Sequence, residues 1–146
     1  MPGIIVGIDG SGHSERALEW AMNEAAIRNA PLTVLTVQQA VVDYWGSAAE
    51  YPGDAALAEK SRMAAQDAVG KALARLGDSR PAWVTVQAVS GIPAEEILSR
   101  AKDADLIVVG SRGAGGFARL LLGSVSSHVA HHASCPVAII PPEDRD

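Results

Sequence analysis

Aromatic side chains are scarce in this chain, with one Phe, two Tyr and three Trp among 146 residues. A core built on ring packing is excluded, and small aliphatic side chains must fill it instead. Cysteine is nearly absent as well. The single Cys135 can close no intramolecular disulfide and has no second thiol for a CxxC redox pair or a zinc knuckle. It reads as a small, buried or half-buried thiol just before a strand. Positive charge is short, 12 Lys and Arg against 17 Asp and Glu, for a net charge of -5. That balance offers no electrostatic footprint for nucleic acid or an anionic membrane. No apolar run approaches the roughly 18 residues of a membrane-spanning helix. Met1-Pro2-Gly3 leads straight into Ile4 without a basic segment or a cleavage site. These absences set the expectation of a soluble cytoplasmic protein with neither nucleic acid nor membrane as partner.

What the chain does have is room and aliphatics. At this length one domain spanning 1–146 can bury roughly 70% of the surface of its unfolded chain, and hydrophobic residues make up 48%. Short runs rich in Val, Ile and Leu alternate with longer stretches of helical period, which is the βαβ signature. The runs are Ile4 to Ile8, Leu32 to Val37, Trp83 to Val89, Leu106 to Val109 and Val137 to Ile140. Several are too continuously apolar to have a solvated face, as in a parallel sheet covered on both sides.

Between the first two runs, Leu18, Ala21, Met22 and Ala25 recur at helical spacing, with Ser14 as N-cap and Glu15 in the first turn. A second helix is expected over Ala55 to Leu76, with Leu57, Val69, Leu73 and Leu76 inward and Gly77 as a left-handed stop. A third starts at Pro93 and buries Ile97, Leu98 and Ala101. A fourth buries Leu121, Leu122, Val125 and Val129 and ends before Pro136. The stretch Gln38 to Gly53 follows neither period. It holds Tyr44, Trp45 and Tyr51, and it reads as a lid, a binding loop or a plain surface excursion. Five strands joined by right-handed crossovers give an α/β, doubly wound, five-stranded parallel sheet with helices on both faces. Its ligand crevice is expected beyond the carboxyl ends of the strands, at the switch point.

After the fourth run the chain reads Gly110-Ser111-Arg112-Gly113-Ala114-Gly115-Gly116, and further on Gly123-Ser124-Val125-Ser126. Glycines let backbone N–H groups approach an anion, a helix N-terminus adds partial positive charge, and the Ser124 and Ser126 hydroxyls can donate to phosphate oxygens. Arg112 and Arg119 could add charge. A merely flexible turn is the plainer alternative. The spacing G-x2-G-x9-G-S, from Gly110 through Gly113 to Gly123-Ser124, is more specific than that.

On this motif the chain resembles the nucleotide-binding branch of the universal stress protein family. The resemblance extends to Ile4-Ile5-Val6-Gly7-Ile8-Asp9-Gly10-Ser11 at the opening strand and its acidic turn, Gly91-Ile92-Pro93 before the third helix, and Cys135-Pro136-Val137 at the closing strand. It implies strand order 3-2-1-4-5 and an ATP site, with Mg2+ carried on the phosphates. Gly7 would stand at the end of the first strand, and the Asp9 carboxylate and the Val37 backbone would meet the adenosine. Gly110, Ser111, Arg112, Gly113, Gly116, Gly123, Ser124, Val125 and Ser126 would hold ribose and phosphates. It also implies a homodimer through the closing strand. Independently, Pro136 to Ile140 has no following helix to cover its edge, and such an edge invites a second copy.

Asp9 has a plainer role open to it, an Asx-turn at Gly10-Ser11, and His13 in the same turn reads as solvated. Other motifs fall away. Gly113-x-Gly115-x-x-Ala118 fits the dinucleotide fingerprint but follows the fourth strand and lacks the distant acidic residue. Ser99-x-x-Lys102 lacks its catalytic partners. His128, His131 and His132 lack the Glu of H-E-x-x-H and read as a polar helix face, so no metal site is expected there. Functionally the reading is a nucleotide-binding stress-response module without efficient turnover. A slow ATP hydrolase or nucleotidyl-transfer enzyme, or a cyclic-nucleotide sensor, are the alternatives.

Overall fold

Five parallel strands, in the order 3-2-1-4-5, form the single sheet among the described residues. In this computed structural model those are residues 3–10, 12–39, 54–111 and 123–142. The strands are β1 (Ile4–Ile8), β2 (Leu32–Gln39), β3 (Val84–Gly91), β4 (Leu106–Gly110) and β5 (Val137–Ile140), alternating with helices α1 (Gly12–Arg28), α2 (Asp54–Leu76), α3 (Pro93–Arg100) and α4 (Ser124–His132). The doubly wound α/β architecture and the strand order agree with the expectation from the sequence.

Alternation along each strand sends successive side chains to opposite faces. Val6, Val34 and Val108, all fully buried, meet Leu18, Met22, Ala65 and Val69 of α1 and α2 on one face. Leu35, Ile107 and Val109 meet Ile97 of α3 and Val129 of α4 on the other. Each such aliphatic taken fully from water contributes roughly 1.5–3 kcal/mol, so two aliphatic layers stand in for the missing aromatics. Across the top of the first layer, Arg75 of α2 pairs with Glu19 of α1 at 2.7 Å, an exposed contact worth at most about 1 kcal/mol.

Several boundaries differ from the sequence reading. Helix α1 begins at Gly12, so Ser14 is not its N-cap but its third residue; buried there, its Oγ accepts a long 3.4 Å bond from the Asp9 N–H. Strand β2 runs on to Gln39 and β3 to Gly91, paired through Gln38↔Ser90 and Gln39↔Gly91, so the irregular stretch starts later than expected. Its remainder, 40–53, lies outside the described residues. Trp83 stands before β3 and is half exposed, although its carbonyl accepts the Leu32 N–H. Leu57, expected inward, is 50% exposed. The cause is length: 23 residues of helix span about 34 Å, more than the neighbouring strands, and burial along α2 begins only at Ala65. The left-handed stop at Gly77 is as expected, with φ +58. Leu121 and Leu122 lie outside the described residues, while Val129 is buried and Val125 half-buried as expected.

Candidate functional site

The site is made by where two strands stop pairing. Strands β1 and β4 are neighbours, yet their ladder runs only from Ile4↔Leu106 to Val6↔Val108. Both strands continue two residues further, to Ile8 and Gly110, whereas β1 stays paired to β2 as far as Ile8↔Thr36. The sheet therefore parts at the carboxyl ends of β1 and β4. Here the chain winds outward in both directions, to β2 on one side and β5 on the other, and such a switch point leaves the crevice in which doubly wound sheets bind ligands.

The registers bring three sequence-selected residues to one level. Asp9 follows Ile8, Val37 follows Thr36, and Ser111 lies three residues past Val108 as Asp9 lies three past Val6. Asp9 is exposed at this rim and is followed by Gly10, whose φ of +83 lies in the left-handed region. Val37 is half-buried and packs toward the α3 and α4 layer.

Ser111 is 6% exposed and bonded on both sides: its N–H donates to the Ile140 carbonyl at 2.9 Å, and its own carbonyl accepts the Gly123 N–H at 2.6 Å. The second bond pins Gly123, and with it the start of α4, to the end of β4. Arg112, Gly113, Gly116 and Arg119, which fall between these two fixed ends, lie outside the described residues.

At the start of α4, Gly123 is the N-cap, in extended conformation and with no side-chain cap. The first helical bond runs from the Ser127 N–H to the Gly123 carbonyl. The N–H groups of Ser124, Val125 and Ser126 precede that ladder, which is the arrangement that favours an anion at a helix N-terminus. The two serines, equal in the sequence, are separated by the structure. Ser124 is exposed. Ser126 is 1% exposed, and its Oγ donates to the Gly123 carbonyl at 3.1 Å, so its hydroxyl is engaged in holding the turn.

Gly7 has a packing role that sequence reasoning missed. A Cβ there would come within 2.8 Å of Ile97 Cδ1, the tip of that side chain, so the glycine leaves the space in which Ile97 lies against β1. Nor did the sequence indicate that Ser111 would tie three segments together, since a serine after a strand carries no such signal.

Histidines 128, 131 and 132 lie exposed on α4, His128 and His132 stacked with centroids 4.4 Å apart. Among the described residues no group of three or more His, Cys, Asp or Glu could hold a metal ion, and no helix is long and apolar enough to cross a membrane. Cys135 is half-buried ahead of β5; burial pushes its thiol up, the Asp105 carboxylate adds to the rise, and a backbone hydrogen bond from Ile107 offsets part of it.

Comparison with known proteins bears on the whole of this architecture. A universal stress protein of Mycobacterium tuberculosis is 38% identical over 144 residues, covering 97% of this chain and 48% of that protein; the chain spans about half the length of the curated relatives it matches. Among solved structures, the universal stress protein UspA of Lactobacillus plantarum superposes with a TM-score of 0.74 at 32% identity, covering 95% of this chain and 97% of that one. A universal stress protein in complex with cAMP superposes with a TM-score of 0.68 at 29% identity, covering 97% and 98%. The model of the Universal stress protein family matches residues 2–141, and the chain belongs to that family.

Proposed function

We propose that this protein binds an adenine nucleotide, ATP foremost, in the crevice between the ends of β1 and β4, as a regulatory module and not an efficient catalyst. The observation that carries the reading is the early end of the β1–β4 ladder, with Asp9 on one lip and the pinned Ser111–Gly123 pair on the other. Adenosine would lie along the row from Val37 to Asp9. The phosphates would meet the N–H groups that open α4, the Ser124 hydroxyl, and Gly110 and Gly113 of the G-x2-G-x9-G-S motif. Mg2+ would ride on phosphate oxygens and water, with Asp9 as the protein carboxylate within reach; one carboxylate suits a phosphate-borne magnesium rather than an all-protein cage. In the reading as a binder, nucleotide occupancy biases which partner or conformation the protein adopts.

A cyclic nucleotide is the second reading, favoured by the relative whose structure was solved with cAMP. It would leave the helix N-terminus with one phosphate instead of three. Calorimetric titration with ATP, ADP, cAMP and GTP, alongside mass spectrometry of any nucleotide that copurifies, separates these. Saturable ATP binding with GTP much weaker is expected. Tighter binding of cAMP than ATP would favour the second reading, no binding of any nucleotide would overturn both, and release of ADP or AMP well above background would make the protein an enzyme.

A further inference from the structure

The α1 and α2 face of the sheet holds a cavity of about 240 Å³ that the nucleotide reading does not use. It opens beside Asp9 but lies across the sheet from α4. Its volume is far above the roughly 10–15 Å³ one water requires, and just below the roughly 300–1,000 Å³ of drug-sized sites, so an occupant would be small.

The cavity exists because α2 presents Ser61, Ala64, Ala65 and Ala68 where larger side chains would close it against α1. Its floor is apolar, formed by buried Ile8, Leu18 and Ala65. Above the floor stand hydroxyls, Ser14 from α1, Thr36 from β2 and Ser61 from α2. Thr36 is 9% exposed and lines the cavity. The polarity of β2 changes at this level: on the same face, Leu32 and Val34 are buried hydrophobics, and Thr36 and Gln38 follow. Gln38 carries the one buried side-chain oxygen or nitrogen among the described residues that has no partner, its Oε1. Gln38 does not line the cavity but stands one step beyond Thr36 on the same face of β2, and a buried oxygen without a partner is costly unless something satisfies it.

Among the described residues the rim carries Asp9, Glu15 and Asp67 against one cation, Lys71, which is itself 3.2 Å from Asp67. We propose that this cavity is a second ligand site, distinct from the nucleotide crevice, for a small amine with an apolar body: hydrocarbon on the floor, N–H donors to the hydroxyls, and positive charge toward the acidic rim. Because Asp9 borders both spaces, occupancy of one would be felt by the other.

Benzylamine, with benzyl alcohol and benzoate as neutral and anionic counterparts, tests this in a two-dimensional NMR titration of the intact protein. Saturable benzylamine shifts confined to the first turns of α1, the end of β2 and the middle of α2 are expected, with benzyl alcohol at least several-fold weaker and benzoate absent. Ala64→Leu, placed on an exposed helix position, should fill the cavity and weaken benzylamine at least tenfold. Thr36→Val, nearly isosteric, should weaken it roughly three- to tenfold. Benzoate binding as well as benzylamine, shifts elsewhere, no saturation at millimolar ligand, or full affinity in a folded Ala64→Leu would each overturn the proposal. ATP titrated into the same Ala64→Leu variant reads the nucleotide proposal separately, since that residue is not part of the crevice.

Discussion

The Gly123 N–H and the Ser111 carbonyl, 2.6 Å apart, close the chain on itself at the end of β4. The bond fixes where α4 starts relative to the sheet, and hence where its first N–H groups and the Ser124 hydroxyl stand. Ser124→Ala should therefore weaken ATP selectively. A hydrogen bond to a charged group is worth about 1.5–3 kcal/mol, so roughly ten- to a hundredfold of ATP affinity is expected to go, with adenosine affinity little changed. Calorimetry with both ligands checks it, and equal losses for the two would assign Ser124 a structural role.

Ser126→Ala should behave differently, because the Ser126 hydroxyl is buried and donates to the Gly123 carbonyl. Losing that bond should lower stability by about 0.5–2 kcal/mol, as loss of a helix-start bond does. ATP and adenosine should weaken together or not at all. A urea titration shows the first effect. A selective loss of ATP in this variant would mean that the hydroxyl swings out to the ligand.

Where the sequence was legible, a single physical rule set the outcome. Apolar runs too continuous for a wet face predicted the strands of a covered parallel sheet, and Gly77 predicted the stop of α2 because only a left-handed residue fits there. Where it was not, two rules competed. Ser14 followed by Glu15 satisfies a helix start, but the chain turns earlier, at Gly10, and α1 absorbs the serine. Leu57 keeps the apolar period of α2 but lies on a part of the helix that outruns the sheet. In the site, glycines and serines were visible as types, while the division of Ser124 from Ser126 depends on which of the two is turned into the protein once α4 starts at Gly123, which spacing alone does not encode.

Cys135 gives a prediction in pH. Its thiol is raised above the ordinary value of 9.0, by burial first and then by Asp105. The thiolate is the reactive form, so iodoacetamide at pH 8 should alkylate the folded protein more slowly than free cysteine. Because the folded value lies above the unfolded one, this group's contribution to stability is whole below the unfolded value and is lost as pH rises through the folded value. Urea midpoints should therefore fall on the alkaline side of 9, and Cys135→Ala should flatten that part of the profile. An unchanged slope in the variant would remove Cys135 as its source.

Among the described residues β5 is the edge of the sheet on its side. Strand β5 pairs with β4 through Ile107↔Val137 to Gly110↔Ile140, and no other described strand lies beside it. Its outer N–H and C=O groups and an apolar Val-Ala-Ile-Ile sequence invite a second copy, and we propose an antiparallel homodimer about a two-fold axis through this strand. In such an isologous contact each substitution appears twice, so Ala138→Lys or Ile139→Lys would bring two like charges near the axis. The two positions differ in what else they touch. Ala138 packs toward the α1 and α2 layer, and Ile139 toward the α3 and α4 layer, each half-buried. Ile139→Lys gives up more hydrophobic contact within the protomer and should lower stability as well as association. Ala138→Lys loses only a methyl's packing, so it should stay folded by circular dichroism and scatter as a monomer at micromolar concentration. If both variants remain folded and dimeric there, the closing strand is not the interface; if the unmodified protein is itself monomeric at that concentration, the edge is unpaired and the dimer proposal fails.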